Sequence, residues 1–534
     1  MARRWNGWGD EHYTKEVSPH GAHLIEQRIG QTTPLRDATL AEVMAQVPMS
    51  RLATHPLIST NTEERVRHAR GQSFPDWLAM RSGNFGVFPD GVAFPETSEQ
   101  VRELLLYAQQ HDVIVIPYGG GTSVAGHITP TANARPILTV SLARMNQLLD
   151  LNEESQIATF GAGTPGPLVE SQLQARGYTL GHFPQSWELS TIGGWIASRS
   201  SGQQSLRYGR IEQMFAGGRM ETLQGTLDIP TIPASSAGPD IREMVMGTEG
   251  RLGIFTDVKV RVTRVAEQEQ FFVYFMPNWQ IAKNVVRTMV QEKIPLSMMR
   301  VSNAQETQAH LHLGTKPKQF RLLQRYLRWR GLDDQCCMLT FGVTGSRVQN
   351  RAALAQLRPL LKRAGGVGGF LANMMGKIWS EGRFRFPYLR ETTWAKGIAI
   401  DTLETSTDWD RVDDLMTDIE TSLANGLRDE QEDVMVFTHL SHLYGQGCSI
   451  YTTYFFRCAD SYEATYQRWS KLKGKASAVI AQGQATISHQ HGVGKDHAPY
   501  LAAEKGLLGM RMIRTLVADF DPEKRLNPGT LLEE

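Results

Sequence analysis

A run of three glycines followed by two hydroxyl residues has the composition of a phosphate site. The stretch IPYGGGTSVAGH covers residues 116–127 and begins at the last residue of the apolar run at 113–116. A bound phosphate needs several converging backbone N–H donors, which requires residues that can adopt positive φ and carry no Cβ in the way. The glycines at 119–121 meet this need, and Thr122 and Ser123 add hydroxyl donors. The stretch therefore predicts a phosphate-binding turn after a strand.

Three further loops combine small residues with hydroxyls in the same way: STIGGW at 190–195, SRSSG at 198–202 and GTEGRLG at 247–253. Together they predict an extended ligand with more than one phosphate. A competing pattern, GAGTPG at 161–166, matches the dinucleotide fingerprint GxGxxG after a strand. Pro165 removes a backbone donor there, and the repeated βαβ units of a Rossmann fold are absent from the flanking pattern. The Rossmann interpretation is therefore the weaker alternative.

Two pairs of histidines could also carry chemistry. His489 and His491 flank Gln490 in SHQHGVG, where an imidazole could hydrogen-bond a ligand and change charge near neutral pH. His439 and His442, in THLSHLYG, have a spacing that metal ligands sometimes have, without a carboxylate at obvious ligand spacing. We expect no metal, and we leave a metal at the second pair open as an alternative.

Composition narrows the class of protein. The chain has 534 residues, enough for at least two lobes with their own cores. Its 56 Lys plus Arg balance 55 Asp plus Glu, which argues against a nucleic-acid partner and favours a small-molecule or lipid substrate. Four cysteines without a CxxC pair fit a reducing compartment, and no apolar run reaches the roughly 18 residues of a membrane span. We expect a cytoplasmic protein, and we leave peripheral contact with a membrane open.

The elements that must position these residues follow an α+β pattern. Residues 1–85 read as a helix-leaning N-terminal extension with several prolines. Over 86–266, short β-branched runs such as VIVIP and ILTVSL alternate with amphipathic helices such as VRELLLYAQQH. Longer helices and the strands DVMVFTHL and CSIYTTYFF characterise 267–485, which we predict to be a second α+β domain. Residues 486–534 form a turn-rich and then helical C-terminal segment.

Four motifs in this order and spacing, PYGGGTSV, HFPQSWELSTIGGW, GPDIREMVMGTEGRLGI and SHQHGVGK, carry a family resemblance. The chain resembles the FAD-binding enzymes of the vanillyl-alcohol oxidase and p-cresol methylhydroxylase type, and within them the alkylglycerone-phosphate synthases. RWNGWG at 4–9, YLRETTWAKG and TDWDRV extend the resemblance over nearly the whole chain. It implies a two-part FAD-binding domain, a cap domain over the flavin, and a C-terminal segment that returns to the FAD domain.

The resemblance also implies which residues hold FAD, non-covalently. The glycine loop would hold the pyrophosphate, the 190–194 loop would follow the flavin side, and residues 249–254 would lie near the adenosine half. The predicted cofactor-binding residues are Pro117, Gly119, Gly120, Gly121, Thr122, Ser123, Ser190, Thr191, Gly193, Gly194, Glu249, Gly250 and Ile254.

In the synthases, flavin N5 bonds to C1 of an acyl-dihydroxyacetone phosphate, the fatty acid leaves and a fatty alcohol takes its place. By resemblance, Tyr451 matches the catalytic tyrosine, Arg300 the arginine near flavin N5, and Arg390 an arginine of the substrate site. His182 matches an active-site histidine, although the acidic residues that flank it in the family are missing here. Thr402 stands where the family has a serine.

His489 and His491 match the outer two of three consecutive histidines in the family, and the middle one is replaced by Gln490. An amide can hydrogen-bond but cannot act as a general base. The resemblance implies a synthase-like transferase of ether lipid synthesis, and the missing base keeps an FAD-linked oxidoreductase acting on a 2-hydroxy acid or alcohol as the alternative. The ending LNPG at 526–529 is more typical of the dehydrogenase branch. A homodimer is left open.

Overall fold

The protein is described from a computed structural model, which covers residues 2–314 and 317–533. The strands are β1 (Ile58–Ser59), β2 (Gly91–Ala93), β3 (Ile114–Tyr118), β4 (Ile137–Ser141), β5 (Leu148–Asn152), β6 (Ile157–Gly161), β7 (Tyr178–Thr179), β8 (Phe215–Thr222), β9 (Gly225–Ile229), β10 (Ile254–Arg261), β11 (Thr263–Arg264), β12 (Gln268–Met276), β13 (Met298–Ser302), β14 (Cys337–Gly345), β15 (Ile398–Asp408), β16 (Met435–Leu443) and β17 (Gly447–Arg457).

The helices are α1 (Pro19–Ile29), α2 (Leu40–Met44), α3 (Thr62–Arg67), α4 (Phe74–Ser82), α5 (Ser98–Gln110), α6 (Gly166–Gln174), α7 (Ile192–Ala197), α8 (Ser205–Tyr208), α9 (Ile211–Met214), α10 (Ile241–Val245), α11 (Trp279–Gln291), α12 (Ala304–Gly314), α13 (Pro317–Trp329), α14 (Arg347–Arg363), α15 (Phe370–Gly382), α16 (Leu389–Trp394), α17 (Val412–Ala424), α18 (Tyr462–Gln482) and α19 (Leu501–Phe520). Short 3-10 helices cover Phe386–Tyr388, Arg428–Glu430 and Ala498–Tyr500.

Two sheets share the first core. One has four strands in the order β1-β2-β4-β3, with β2 and β3 parallel to β4, and the other has five antiparallel strands in the order β5-β6-β10-β8-β9. Val115 and Leu138 of the first sheet belong to the same buried cluster as Phe160 and Val258 of the second. The strand β6 is antiparallel to both neighbours, so the Rossmann alternative for the loop after it is wrong, because that fold needs parallel βαβ units.

The second core belongs to a six-stranded antiparallel sheet in the order β12-β14-β13-β16-β17-β15. Helices α11, α14, α17 and α18 supply buried residues to its cluster. The β-branched and aromatic run of β17 fits a strand that is buried on both faces. A capping box between Ser346 and Gln349 fixes the start of α14. The predicted α+β class is therefore confirmed, whereas the domain boundaries stay a prediction.

The C-terminal segment pairs with the first sheet. Leu526 forms a parallel bridge with Val115, and the Asn527 N–H donates to the Val115 carbonyl at 2.9 Å. The last strand-like residues thus extend the four-stranded sheet beyond β3. None of the helices in the described ranges is long and apolar enough to cross a membrane.

Candidate active site

A large pocket lies between the glycine-rich loops around the first core and the strands β15 and β17 of the six-stranded sheet. It encloses about 1880 Å³ of empty space, including its open mouth. Its wall contains every residue that the sequence assigns to the cofactor: Pro117, Gly119, Gly120, Gly121, Thr122, Ser123, Ser190, Thr191, Gly193, Gly194, Glu249, Gly250 and Ile254. Their individual roles in binding stay predictions.

The physical reason for the glycines at 119–121 differs from the one that the sequence suggests. A Cβ on Gly120 would overlap the carbonyl oxygen of Leu189, and a Cβ on Gly119 would overlap the Thr191 hydroxyl. Only Gly121 of the three has positive φ, at 66°. Packing of the glycine loop against the 189–191 loop, and not the volume of a ligand alone, therefore excludes side chains here.

The open space beside Thr191 and Gly194 can take an anionic group such as a pyrophosphate. The Thr191 hydroxyl is buried and has no hydrogen-bond partner among the described residues. A Cβ on Gly194 would have a single neighbour within 4 Å, the same hydroxyl at 3.3 Å, so this part of α7 faces open space. An unpaired buried hydroxyl beside exposed backbone at a pocket wall is what an anionic ligand would complete. The residues present therefore fit the FAD that the sequence predicts.

Other polar groups of the same wall are already engaged within the protein. The Ser123 hydroxyl lies 2.5 Å from His127 Nδ1, and the Ser190 hydroxyl accepts from Trp195 Nε1 at 2.7 Å. The Glu249 carboxylate accepts from the N–H groups of Val493, at 2.5 Å, and Gly494, at 2.8 Å. These side chains therefore hold the loops together, and Glu249 in particular fastens the SHQHGVGK segment to the first core.

Tyr451 reaches the pocket from the sheet. It lies opposite Glu404 of β15 and His439 of β16, so the three side chains share one sheet face. Its ring stacks on His439 with centroids 4.7 Å apart and lies edge-on to His491 at 6.2 Å. Burial raises the pKa of Tyr451 above its ordinary value, against a hydrogen bond with Thr402. The phenol is therefore neutral at physiological pH and can donate a hydrogen bond.

His491 and Gln490 also line the pocket, whereas His489 is absent from the wall that the described residues form. Burial lowers the pKa of His491, with Glu404 acting against it, so its imidazole is neutral near pH 7. His489 Nε2 lies 2.7 Å from both Arg210 Nη1 and the Tyr444 hydroxyl. The structure thus separates the two predicted histidines into one that faces the pocket and one that is engaged by protein groups.

Arg390 lines the pocket with an incompletely paired guanidinium. Its Nη1 donates to the Gln72 carbonyl at 2.8 Å, and the group stacks over Trp77 at 4.5 Å. Its Nε and Nη2 are buried and have no hydrogen-bond partner among residues 2–314 and 317–533. Burial lowers the pKa of Arg390 from its ordinary value. A buried cation with two free donors is a receptor for an anion.

Arg300 and His182 do not reach the pocket wall as the described residues build it. Arg300 Nη2 donates to Glu306 Oε1 at 2.6 Å and lies 3.2 Å from His439 Nδ1. His182 is 1% exposed, packs on Trp195 with ring centroids 4.6 Å apart and lies 3.2 Å from the Ser200 hydroxyl. Burial lowers its pKa to about 3, so it is uncharged. Both residues support groups that line or adjoin the pocket, and their predicted catalytic roles stay predictions.

The suggested metal pair is divided between two clusters. His439 Nδ1 contacts Glu306 at 2.9 Å, while His442 Nδ1 lies 3.2 Å from the hydroxyls of Ser201 and Ser205. The ligand atoms of His442, Glu404 and His489 lie within 4.8 Å of one another and could hold an ion. However, the Arg210 guanidinium already lies against His489, which opposes a second cation there.

Several pocket residues were missed from the sequence. Trp8, Gln72, Asp401 and Asn527 line the wall although they lie far apart along the chain. The RWNGWG motif drew attention to Trp8 only as part of a resemblance, and nothing in the local pattern of Gln72 or Asp401 indicates a site. Asn527 carries a local signal, since it lies in the LNPG turn and has φ of 45°, which asparagine tolerates.

Two family matches cover most of the chain. Residues 89–228 match the FAD binding domain, and residues 265–531, half of the chain, match the C-terminal domain of the FAD linked oxidases. An alkyldihydroxyacetonephosphate synthase from Dictyostelium discoideum is 28% identical over 477 residues, which cover 88% of this chain and 77% of the relative. An alkyldihydroxyacetonephosphate synthase from Trypanosoma brucei brucei is 26% identical over a match that covers 99% of this chain and 92% of the relative.

A solved structure of an alkyldihydroxyacetonephosphate synthase superposes with a TM-score of 0.84 at 24% identity, covering 98% of both chains. The predicted resemblance and the two-part FAD domain with a cap are therefore confirmed, and FAD is the cofactor of this enzyme. Because the match to the C-terminal domain extends over half of the residues, the chain belongs to the family of FAD-linked oxidases.

Proposed function

We propose that the protein exchanges the acyl chain of an acyl-dihydroxyacetone phosphate for a fatty alcohol. The observation that carries this proposal is Arg390, a guanidinium whose buried Nε and Nη2 have no hydrogen-bond partner in the described part of the chain. It lines the pocket together with Tyr451 and His491. A substrate phosphate would supply the missing charge and acceptors in a fork geometry that arginine matches. The synthase relatives support the same substrate.

Different residues of the pocket would bind the cofactor, bind the substrate and handle protons. Thr191 and the backbone of the 119–121 and 193–194 loops would hold the phosphates of FAD, and Arg390 would hold the phosphate of the substrate. When bound, FAD supplies a flavin ring whose nucleophilic nitrogen assists departure of the fatty acid. Tyr451, neutral at pH 7, can donate a hydrogen bond to the fatty acid, which leaves as its carboxylate, and the neutral imidazole of His491 can accept the proton of the entering alcohol. One acid leaves and one alcohol enters, so no external electron acceptor is needed.

A second candidate is an oxidoreductase that removes a hydride from a 2-hydroxy acid or alcohol. The observation in its favour is Gln490, which lines the pocket where the synthases have a histidine. An amide cannot take a proton from carbon, so a reaction that needs only His491 as base tolerates it better. Arg390 would then bind the carboxylate of the hydroxy acid.

Anaerobic spectra of the purified holoenzyme distinguish the two. For the transferase, a long-chain acyl-dihydroxyacetone phosphate bleaches the flavin band, a fatty alcohol restores it, and mass spectrometry finds the alkyl ether phosphate without added acceptor. For the oxidoreductase, a 2-hydroxy acid bleaches the band and only an electron acceptor restores it. A flavin that responds to neither substrate class would reject both candidates.

We further propose that the outer face of α13 contacts an anionic lipid surface, from which an apolar substrate is drawn. The helix packs through Phe320, Leu323 and Leu327, yet Leu322 and Trp329 on its other side are 70% and 79% exposed. These two residues are seven positions apart and so lie on one stripe. The exposed cations of the same segment are Lys318, Arg321, Arg325, Arg328 and Arg330, with no acidic residue between 317 and 332. An apolar stripe flanked by cations is typical of interfacial helices.

The homodimer and the cytoplasmic location stay predictions. Sedimentation of the holoenzyme at micromolar concentration would test the first.

A further inference from the structure

Glu404 is a buried carboxylate at the centre of the polar network behind the pocket. It is 2% exposed and lies on β15 opposite Tyr451. Its Oε2 accepts from Gln490 Nε2 at 2.5 Å, and its Oε1 accepts from the Ser441 hydroxyl at 3.0 Å. His489 Nδ1 lies 3.2 Å from Oε1, and His491 Nε2 lies 3.9 Å from Oε2. Four side chains from two segments therefore converge on one acid.

The network keeps this acid ionised. Burial alone would raise the pKa of Glu404, but His489, His442 and His491 outweigh it and hold the pKa well below its ordinary value. An ionised carboxylate can only accept hydrogen bonds. The Gln490 atom beside it must therefore be the amide nitrogen.

Arg210 fixes the other side of His489. Its Nη1 lies 2.7 Å from Nε2, and its Nη2 donates to the His489 carbonyl at 2.9 Å. Arginine only donates, so His489 Nε2 is the acceptor of this contact. The His489 ring therefore lies between Arg210 and Glu404, in contact with both.

With its nitrogen bound to Glu404, the Gln490 amide has a single orientation. The carbonyl oxygen occupies the opposite branch of the planar group, away from Glu404, and Gln490 lines the pocket. We propose that this oxygen accepts a hydrogen bond from the hydroxyl of the substrate, and that Glu404 is the positioning residue that aims it. The inference rests on the proposed function only in that the pocket binds a hydroxyl compound: the entering alcohol of the transferase or the 2-hydroxyl of the oxidoreductase.

With Gln490 in place of the family histidine, the pocket would prefer ligands that can donate a hydrogen bond. A neutral amide whose nitrogen is already used can act only as an acceptor on the pocket side, so it selects ligands that bring a donor. A matched ether of the same size, which has no donor, would leave the Gln490 oxygen without a donor from the ligand and would bind more weakly.

The experiment measures equilibrium binding to the holoenzyme, by calorimetry and by perturbation of the flavin spectrum, for 1-octanol against its methyl ether and for lactate against 2-methoxypropionate. In the wild-type protein, we expect the hydroxyl ligand of at least one pair to bind about tenfold more tightly than its ether, the effect of one hydrogen bond. Glu404→Gln and Gln490→Leu should bring that ratio close to one. Glu420→Gln is the control, because it alters a carboxylate that accepts a hydrogen bond from Asn303 and does not line the pocket. We expect it to keep the wild-type ratio of hydroxyl to ether affinity.

The outcomes are separable. An unchanged ratio in both variants, or an equal loss for hydroxyl and ether ligands, would overturn the positioning role while leaving the proposed function intact. If neither hydroxyl ligand binds the wild-type protein, this inference fails, while the anaerobic spectra still decide the proposed function. Should Glu404→Gln lose its flavin through misfolding, Gln490→Leu decides the question alone, because it removes only the side chain that faces the pocket.

Discussion

At the scale of single residues, protonation states set the chemistry of the pocket. Tyr451 is kept neutral by burial, and His491 is kept neutral by burial against the pull of Glu404. At pH 7, Tyr451 therefore offers a hydrogen-bond donor and His491 a proton acceptor, and both side chains are uncharged. Arg390 retains donors for an anion at the same wall. Chemistry that moves a proton and binds a phosphate or carboxylate needs these three groups together.

Tyr451→Phe should retain FAD and lose turnover, because the substitution removes only the hydroxyl and keeps the ring that stacks on His439. We expect a loss of at least 100-fold in kcat, the usual scale of a positioned acid or base. Flavin absorbance per protein checks the first part and steady-state kinetics the second. Tyr454→Phe is the control, because it removes a hydroxyl on the same strand that is hydrogen-bonded to Asp401. It shows how much activity is lost when any buried tyrosine hydroxyl of this strand is removed. Wild-type activity in Tyr451→Phe would make this tyrosine structural.

At the scale of elements, loops packed against loops shape the cofactor site. The sequence could predict the glycine loop, the helix at 98–110 and the strands at 114–118 and 447–457, because local periodicity and glycine chemistry carry those signals. It could not show that Leu189 is the neighbour of Gly120, or that His439 and His442 belong to different clusters. Those facts depend on contacts between distant segments, which no local pattern reports.

Two glycine substitutions separate packing from binding. Gly120→Ala should destabilise the apoprotein by about 3 kcal/mol or more, because its Cβ would overlap the Leu189 backbone. Gly194→Ala should leave the stability of the apoprotein within about 1 kcal/mol but weaken FAD binding, since its Cβ points into open space beside Thr191. Urea unfolding of the apoproteins and flavin titration measure the two effects. Equal stabilities for the two apoproteins would refute the loop-packing explanation.

The outer face of α13 can be tested by vesicle flotation. We expect Leu322→Glu combined with Trp329→Glu to reduce binding to vesicles of phosphatidylserine and phosphatidylcholine by more than tenfold, because the change removes the apolar stripe and adds repulsive charge. Neutral phosphatidylcholine vesicles should bind even the wild-type protein weakly. Met49→Glu, at a position that is 92% exposed outside this helix, should behave as wild type. Equal binding of the double variant would exclude this face.

At the scale of the whole molecule, charges from separate segments meet near the junction of the two cores. The pKa of Asp496, in the SHQHGVGKD segment, is raised by burial and by the nearby carboxylates of Asp76 in α4 and Asp401 in β15. Burial, reinforced by these carboxylates and opposed by Lys473 and His127, raises the pKa of Asp496 to about 7. The folded protein therefore holds a proton between about pH 4 and 7 that the unfolded chain has released.

This proton predicts how stability varies with pH. Its contribution is complete below the unfolded pKa and is lost as pH rises through about 7, so part of the free energy of unfolding should fall between pH 5 and pH 8. Asp496→Asn should reduce that fall by a few kcal/mol, since the amide does not titrate. Urea unfolding at both pH values tests this, with Asp150→Asn at an exposed strand position as the control. A fall of the same size in Asp496→Asn would contradict the assignment.

The wall of the pocket takes residues from Trp8 to Asn527. A chain that emerges from the ribosome in order would present the glycine loop well before the SHQHGVGK segment that Glu249 fastens and the turn at Asn527. The complete binding wall can therefore exist only once the chain has been made as far as Asn527. FAD that meets the chain earlier would find the glycine loop without the residues that close the wall.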